Sequence, residues 1–492
     1  MRLQALTLKG FRCFKEARLT FHDLTALVGA NGAGKTAAMQ PLVKLFGQGR
    51  AAELTRMDFH SEPGSTATEL SLSIEAVFDF PEVAEDGEEE AKRTVPPLFH
   101  QMTVEDVGVS PILRLRLSAT WTQGNMPGGT VESRLEFIRH PLAVPLEDET
   151  AKKPAKAQVR SLIHVIYVPA MRDPTRQLRQ QAGSALWRLL HAIRWSDDLP
   201  GTLATEAEAI STAFEREIGF STVKEALQQQ WRRFHAESTY SHLDLNMVNS
   251  ELDHYLKAVS LAFRPTPGQE AHTTDQLGDG LRSLLYLTLI CTTLEIEQGL
   301  QAENAETRGL DAEGAPMPPA LTLLVVEEPE NHLAPHLLGR TVGNLQRTAR
   351  QHNAQVVLSS HTPSLLRRVE PSAVRHLRLD RVTHSTVVSE LTLPEKTDAA
   401  FKFVSEAVRA FPELYFSRFV VFGEGDSEEL VLPRLLEPRI RATVDEAFVS
   451  VVPLGQQAHR SAAASLSDRR RGSGASWRPC SRRGPRRRRG GC

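Results

Sequence analysis

Residues 24–36, LTALVGANGAGKT, constrain the fold more than any other stretch. A five-residue apolar run opens directly into G-x-x-x-x-G-K-T at Gly29, Gly34, Lys35 and Thr36. Glycines at that spacing let successive backbone N–H groups turn inward on a phosphate. A helix starting there aims its positive end at the same point, and the lysine and threonine add an ammonium and a hydroxyl. The arrangement requires a buried strand before the loop and a helix after it, so it predicts an α/β core with a parallel sheet. Asn31, Gly32, Gly34, Lys35 and Thr36 are the expected contacts to nucleotide phosphates and their Mg²⁺. A glycine turn without a ligand is the plain alternative, and the strand–loop–helix setting counts against it.

Three further segments follow in a telling order. LTLLVVEEPENH ends an apolar strand in two acids, with Glu327 placed to bind Mg²⁺ and Glu328 placed to orient or deprotonate a water. Upstream, QLGDGLRSLLYLTLI sets Gly278, Asp279 and Gly280 at the start of a helix, and downstream QVVLSSHTPSLL sets His361 directly after a strand. Each is a weak signal alone, since acids cap helices and glycine turns precede them. Together, in this order, they resemble the ATPase heads of the ABC/SMC-like class. The resemblance implies ATP as ligand, a signature loop at 278–280 acting on the opposite subunit, His361 as switch histidine, and a homodimer.

The rest of the chain fits around that core. LQALTLKGFRCFKEARLTF reads as a hairpin leading into the strand at 24–28, and Leu70–Phe80, Leu113–Trp121 and Val131–Ile138 alternate as strands of an antiparallel sheet. From 175 to 263 apolar residues recur at three- and four-residue spacing, predicting a helical insertion, packed on the head or used for dimerisation. The expected layout is an N-terminal lobe (1–174), this insertion (175–263) and a C-terminal lobe (264–400). The longest apolar runs fall short of the ~18 residues of a membrane span, and the amino terminus lacks a signal pattern, so a cytoplasmic protein is expected. Four cysteines without C-x-x-C spacing suggest neither a zinc site nor a disulfide framework.

The phrases EEPENHLAPH and VIYVPAMRDP, with FVVFGEGDSEE after the head, are similar to the OLD (overcoming-lysogenization-defect) family of ATP-dependent nucleases. That resemblance implies a Toprim domain beginning at 415, whose first strand–helix loop supplies Glu424 and Glu428 as ligands for Mg²⁺ or Mn²⁺, with DNA as substrate. It also admits a helicase partner and a role in phage defence, for which no residue here speaks. A second Toprim strand is expected near AFVSVVPLG, closing a partial domain at 455. Residues 456–492 then turn to arginine, glycine, serine and proline, with Asp468 their only acid, so the family's later D-x-D pair cannot be assigned. Two readings of this tail stand: a disordered nucleic-acid-binding segment, or translation out of frame, for which little DNA cleavage is expected. The alternative for the whole chain is a RecF/SMC-like DNA-binding ATPase clamp or sensor without nuclease activity. Residues 1–459 carry a net charge of −12, so attraction to DNA would have to come from local basic patches.

Overall fold

Strand β3 (Leu24–Val28) is buried along its whole length and sits inside a six-stranded sheet. The computed structural model describes residues 1–47, 49–62, 64–80, 104–106, 109–124, 128–140, 151–155, 162–170, 185–234, 251–259, 261–264, 270–301, 319–331, 333–380, 382–391, 411–417, 419–423, 425–440, 443 and 449–453. They divide into two compact units, one formed by 1–170 with 319–492 and the other by 171–318. The tail at 456–492 lies outside the described residues, as does Glu424.

In the first unit, β1 (Arg2–Phe11) and β2 (Phe14–Thr20) form the expected hairpin. With β4 (Glu69–Asp79), β5 (Val104–Asp106), β6 (Val109–Thr122), β7 (Thr130–Ile138) and β8 (Lys152–Pro154) they build a seven-stranded antiparallel sheet. The second sheet of this unit has the order β15-β14-β3-β13-β12-β9, using β9 (Ile163–Val168), β12 (Leu321–Glu327), β13 (Ala354–Ser360), β14 (Val374–Asp380) and β15 (Ser385–Glu390). Its strands run parallel except β15, which is an antiparallel edge. Such a sheet is buried on both faces, which is why β12 and β13 read as continuous apolar runs rather than alternating ones. One core joins the two sheets: Leu6, Leu8, Phe78 and Leu115 pack in the same cluster as Leu27, Leu323, Val325 and Val357.

A single amide also ties the sheets together. The register of β1 against β4 slips between Leu3 and Ala5. There the Leu3 N–H donates to Gln355 Oε1 at 2.6 Å, while Gln355 Nε2 donates to the carbonyls of Leu3 (3.1 Å) and His22 (3.3 Å). Gln355 is 2% exposed, so water cannot replace it. A glutamine within a buried strand is thus explained by the irregular backbone it satisfies.

The first unit further holds α1 (Lys35–Phe46), α7 (Pro335–Ala349) and the short α8 (Pro363–Leu366). Toward the end, β16 (Phe419–Gly423), α9 (Asp426–Ile440) and β17 (Val449–Pro453) make a βαβ unit with the strands parallel, Phe419 opposite Val449. The second strand expected at 447–455 is therefore present.

The second unit is helical: α2 (Ala185–His191), α3 (Leu199–Glu215), α4 (Ile218–Phe234), α5 (Leu252–Ala258) and α6 (Asp279–Gln301), with a small hairpin of β10 (Ala262–Phe263) and β11 (His272–Thr273). It takes in the helical stretch predicted at 175–263 and also the helix that follows the signature-like loop. Arg188 of α2 pairs with the half-buried Glu297 of α6, and His191 stacks on Trp187 with ring centres 3.9 Å apart. Burial raises the Glu297 carboxyl despite the opposing pull of Arg188. Among the described residues no helix is long and apolar enough to cross a membrane.

Replacing Gln355 by leucine removes the partner of a buried backbone N–H while keeping side-chain bulk. Stability is expected to fall by about 2 kcal/mol or more, read as a lower urea midpoint with unchanged m. An unshifted midpoint would show that the amide is dispensable.

Candidate active site

Parallel pairing brings three strand ends side by side. Val28 at the end of β3 lies opposite Ser360 at the end of β13, and Ser359 lies opposite Glu327 at the end of β12. In open α/β sheets ligands bind beyond the carboxyl ends of the strands. The glycine loop, the acidic pair and His361 all leave the sheet at that edge.

The loop has little room for side chains. A Cβ on Gly29 would stand 2.3 Å from the Leu377 carbonyl oxygen of β14. Gly34 has φ 94°, and a Cβ there would meet Cys13 Sγ at 2.7 Å and Thr386 Oγ1 at 2.8 Å. Thr386 Oγ1 donates to the Ala33 carbonyl at 3.1 Å, bracing the loop from β15. Gly34 is the N-cap of α1 and offers no side-chain cap, so the first-turn N–H groups face outward with no acid among them. Lys35 Nζ donates to the carbonyls of Gly29 (2.8 Å) and Ala30 (3.1 Å). Burial pulls its ammonium down, with Glu328, Glu330 and Glu327 pushing the other way. Thr36 and Asn31 are exposed at the loop.

Glu327 is buried, and its Oε2 accepts from the Ala170 N–H at 3.2 Å. Tyr167 of β9 also hydrogen-bonds this carboxylate and Gln40 of α1, linking the phosphate-loop helix to the acidic strand. Burial pushes the Tyr167 hydroxyl up, and the neighbouring Glu327 charge adds to it, so the phenol stays a donor. Glutamate carboxylate and threonine hydroxyl are hard oxygen donors, a set that suits Mg²⁺.

Glu328 departs from the strand. Its φ is 41°, a left-handed conformation that costs a non-glycine residue of order 1–3 kcal/mol. The backbone is held there by its N–H donating to the Ser359 carbonyl at 3.0 Å, and by the Asn331 N–H donating back to the Glu328 carbonyl at 3.0 Å. The turn carries the carboxylate to His361, with Nδ1 to Oε1 at 3.1 Å, and Asn331 Nδ2 donates to Oε2 at 2.9 Å. In the tautomer that carries its proton on Nδ1, the ring donates to Glu328 and leaves Nε2 on the edge away from the acid.

Sequence reasoning passed over Glu330. Its Oε1 accepts from Ser360 Oγ (2.6 Å), Thr362 Oγ1 (3.0 Å) and the His361 N–H (3.3 Å). One carboxylate thus fixes the whole loop after β13 and with it the position of the His361 ring. The signal was present in EEPENH, where a third acid follows the proline, but its partners lie about thirty positions downstream. Tyr167 was quoted only as part of a family phrase, and its contact with Glu327 is likewise long-range.

Gly278, Asp279 and Gly280 belong to the second unit, where α6 begins at Asp279. The Arg282 N–H closes the first turn on the Gly278 carbonyl at 3.0 Å, Asp279 pairs with Arg282 at 3.7 Å, and no atom lies near a Cβ built on Gly278. Among the described residues, the space beside Gly278 is clear. In the terminal βαβ unit, Glu428 Oε2 accepts from the Gly425 N–H and Ser427 Oγ, both at 3.0 Å, which orients the carboxylate at the start of α9. Among the described residues no three metal-ligating side chains converge.

Comparison with known proteins reads the same way along the chain. One family model, AAA ATPase domain, matches residues 1–102. A second, AAA domain, putative AbiEii toxin, Type IV TA system, matches 186–367. The third, Overcoming lysogenization defect protein-like, TOPRIM domain, matches 415–468 and so falls on the βαβ unit that follows the head. Together these matches support reading the chain as an ATPase–Toprim protein of the OLD type. The OLD nuclease of Thermus scotoductus is 22% identical over 473 aligned positions, spanning 93% of this chain and 78% of the relative. Among solved structures, an SMC head bound to the C-winged helix domain of ScpA is 15% identical with a TM-score of 0.42, covering 80% of this chain and 99% of the head. The SMC head domain from Thermotoga maritima is 14% identical with a TM-score of 0.35, covering 80% and 100%. AAA ATPase and Toprim domains in general use ATP and a divalent metal.

Glu330→Ala should lower the ATPase kcat about 10- to 100-fold by releasing His361 from Glu328, while KM for ATP stays within about threefold. Glu330→Gln, which keeps one acceptor oxygen, should recover part of the rate. Steady-state phosphate release measures both; wild-type kcat in the alanine variant would remove Glu330 from the site.

Proposed function

We propose that this OLD-family chain binds ATP at the ends of β3, β12 and β13, hydrolyses it as a homodimer, and couples that cycle to metal-dependent cleavage of DNA at its Toprim segment. The observation that carries the ATPase reading is the Glu328–His361 contact of 3.1 Å, on strand ends adjacent to the glycine loop.

In this reading the loop amides from Gly29 to Thr36, including those of Asn31, Gly32 and Gly34, hold the phosphates. Lys35 exchanges its carbonyl partners for phosphate oxygens. Thr36 and Glu327 would hold Mg²⁺, which would neutralise phosphate charge there. Glu328 accepts a proton from water as the water oxygen bonds to the γ-phosphorus and the bond to the β-phosphate oxygen breaks, leaving ADP. His361 stabilises the charge that gathers on the γ-oxygens. The open Gly278–Gly280 loop of a second copy completes the site, which makes dimerisation a condition of turnover. In the Toprim segment Glu424 and Glu428 are the carboxylates assigned to Mg²⁺ or Mn²⁺.

Glu328→Gln should reduce phosphate release at least 100-fold, the usual worth of a general base, with ATP still bound. Lys35→Ala should lose binding itself, seen with a fluorescent ATP analogue. Equal turnover in Glu328→Gln and wild type would overturn the assignment. For the Toprim part, with the later D-x-D pair unassigned, Mn²⁺-dependent nicking of supercoiled DNA should be weak, and what there is should vanish in Glu424→Ala; robust cleavage would show the missing pair to be dispensable. ATP-dependent DNA binding without any nicking would instead mark the protein as a clamp.

A further inference from the structure

Between Glu330 and Glu370 the chain has no aspartate or glutamate, yet it has five arginines: 340, 347, 350, 367 and 368. The same body of the protein, residues 1–459, is acidic by twelve charges. All five arginines are exposed, and they lie on or just after α7 and α8.

Helix α7 buries Leu338, Thr341, Val342, Leu345, Thr348 and Ala349 against the sheet. Arg340 and Arg347 are seven residues apart on the opposite face, and Arg350 follows at the C-cap, a stripe of ~15 Å at 1.5 Å per residue. The end of α8 adds to that surface. A Cβ on Gly339 would come within 3.1 Å of Arg368 Nε, and Gln346 Nε2 donates to the Arg368 carbonyl at 2.8 Å.

An acid three or four residues from an arginine stabilises a solvated helix; α7 has none. Among the described residues Arg347 bonds only the Asn344 amide oxygen, Arg368 only the Ser364 carbonyl, and no carboxylate pairs with Arg340, Arg347, Arg350 or Arg368. Arginines near a helix C-terminus do complement its dipole, which accounts for Arg347 and Arg350 but not for Arg340, Arg368 or the missing acids. Beyond Arg350 and Arg368 the surface drops into a cleft of about 830 Å³, where Asp23, Asp79 and Glu370 restore mixed charge. The uniformly positive area is therefore the outer face of α7 and its border with α8.

We infer that this face binds the phosphate backbone of duplex DNA. The inference rests on the reading that the protein acts on DNA. Guanidinium groups are the residues of choice for phosphate, and a ~15 Å stripe spans several phosphates at 3.4 Å of helix axis each. Residues 331–369 contain no phenylalanine, tyrosine or tryptophan to stack on bases, so the contact is to backbone and independent of sequence.

The test is fluorescence anisotropy of the full chain with two unrelated 30-base-pair duplexes, between 50 and 300 mM KCl. Each phosphate contact removed should reduce the slope of log K against log[salt] by about 0.9. The triple variant Arg340→Gln, Arg347→Gln, Arg350→Gln should thus lose a slope of about 2 to 3 on both duplexes. The triple lysine variant should keep it. The arginine-rich residues 456–492 are present in every protein compared, so their contribution cancels in the difference. A wild-type slope in the glutamine variant would overturn the face as a DNA contact while leaving the DNA reading intact. Equal loss in the lysine variant would also overturn it, marking the face as structural. Failure of the unaltered chain to bind either duplex would sink the DNA reading itself.

Discussion

The parallel register of β12 against β13, with β3 on the far side of β13, is what the rest of the head depends on. A strand ladder fixes neighbours to within one residue, because a slip of one turns every side chain to the other face. Glu327 faces Ser359 and Val28 faces Ser360, so the phosphate loop, the two acids and the histidine leave the sheet together. The antiparallel sheet serves the same end from outside. Its first strand is tied to β13 by Gln355, and the backbone at Cys13, beside the β1–β2 turn, accepts the N–H of Thr386 at 2.7 Å, the same residue whose hydroxyl braces Ala33.

What was legible in the sequence was local. A glycine loop, an apolar run ending in acids and a histidine after a strand are each contained in a dozen residues, and their backbone settings follow from composition. The terminal βαβ unit was legible for the same reason: two apolar strands bracket one helix. Contacts across strands were not legible. Nothing near Glu330 names Ser360 and Thr362 as its partners, nothing near Tyr167 names Glu327, and Gln355 looks like an error in a buried strand until the slipped register of β1 explains it. The left-handed backbone at Glu328 was equally hidden, since glutamate is a poor choice for that region on local grounds. It is held by bonds to Ser359 and Asn331, one of them long-range.

Charge is distributed unevenly. The acids that surround Lys35 are spent on the strand ends, where they lift its ammonium against burial. The helix that follows them carries arginine and no acid at all. A protein with an excess of negative charge resists polyanions over most of its surface, and this raises the selectivity of any single positive face for them.

The Glu330 carboxylate has a mechanical meaning. Because it grips the loop after β13 from the loop after β12, the Glu328 carboxylate and the His361 ring hang from one rigid yoke. They cannot be displaced separately: a push on either loop carries the other with it. A shift at this edge is then a single motion, and a force arriving at either strand end is felt at both.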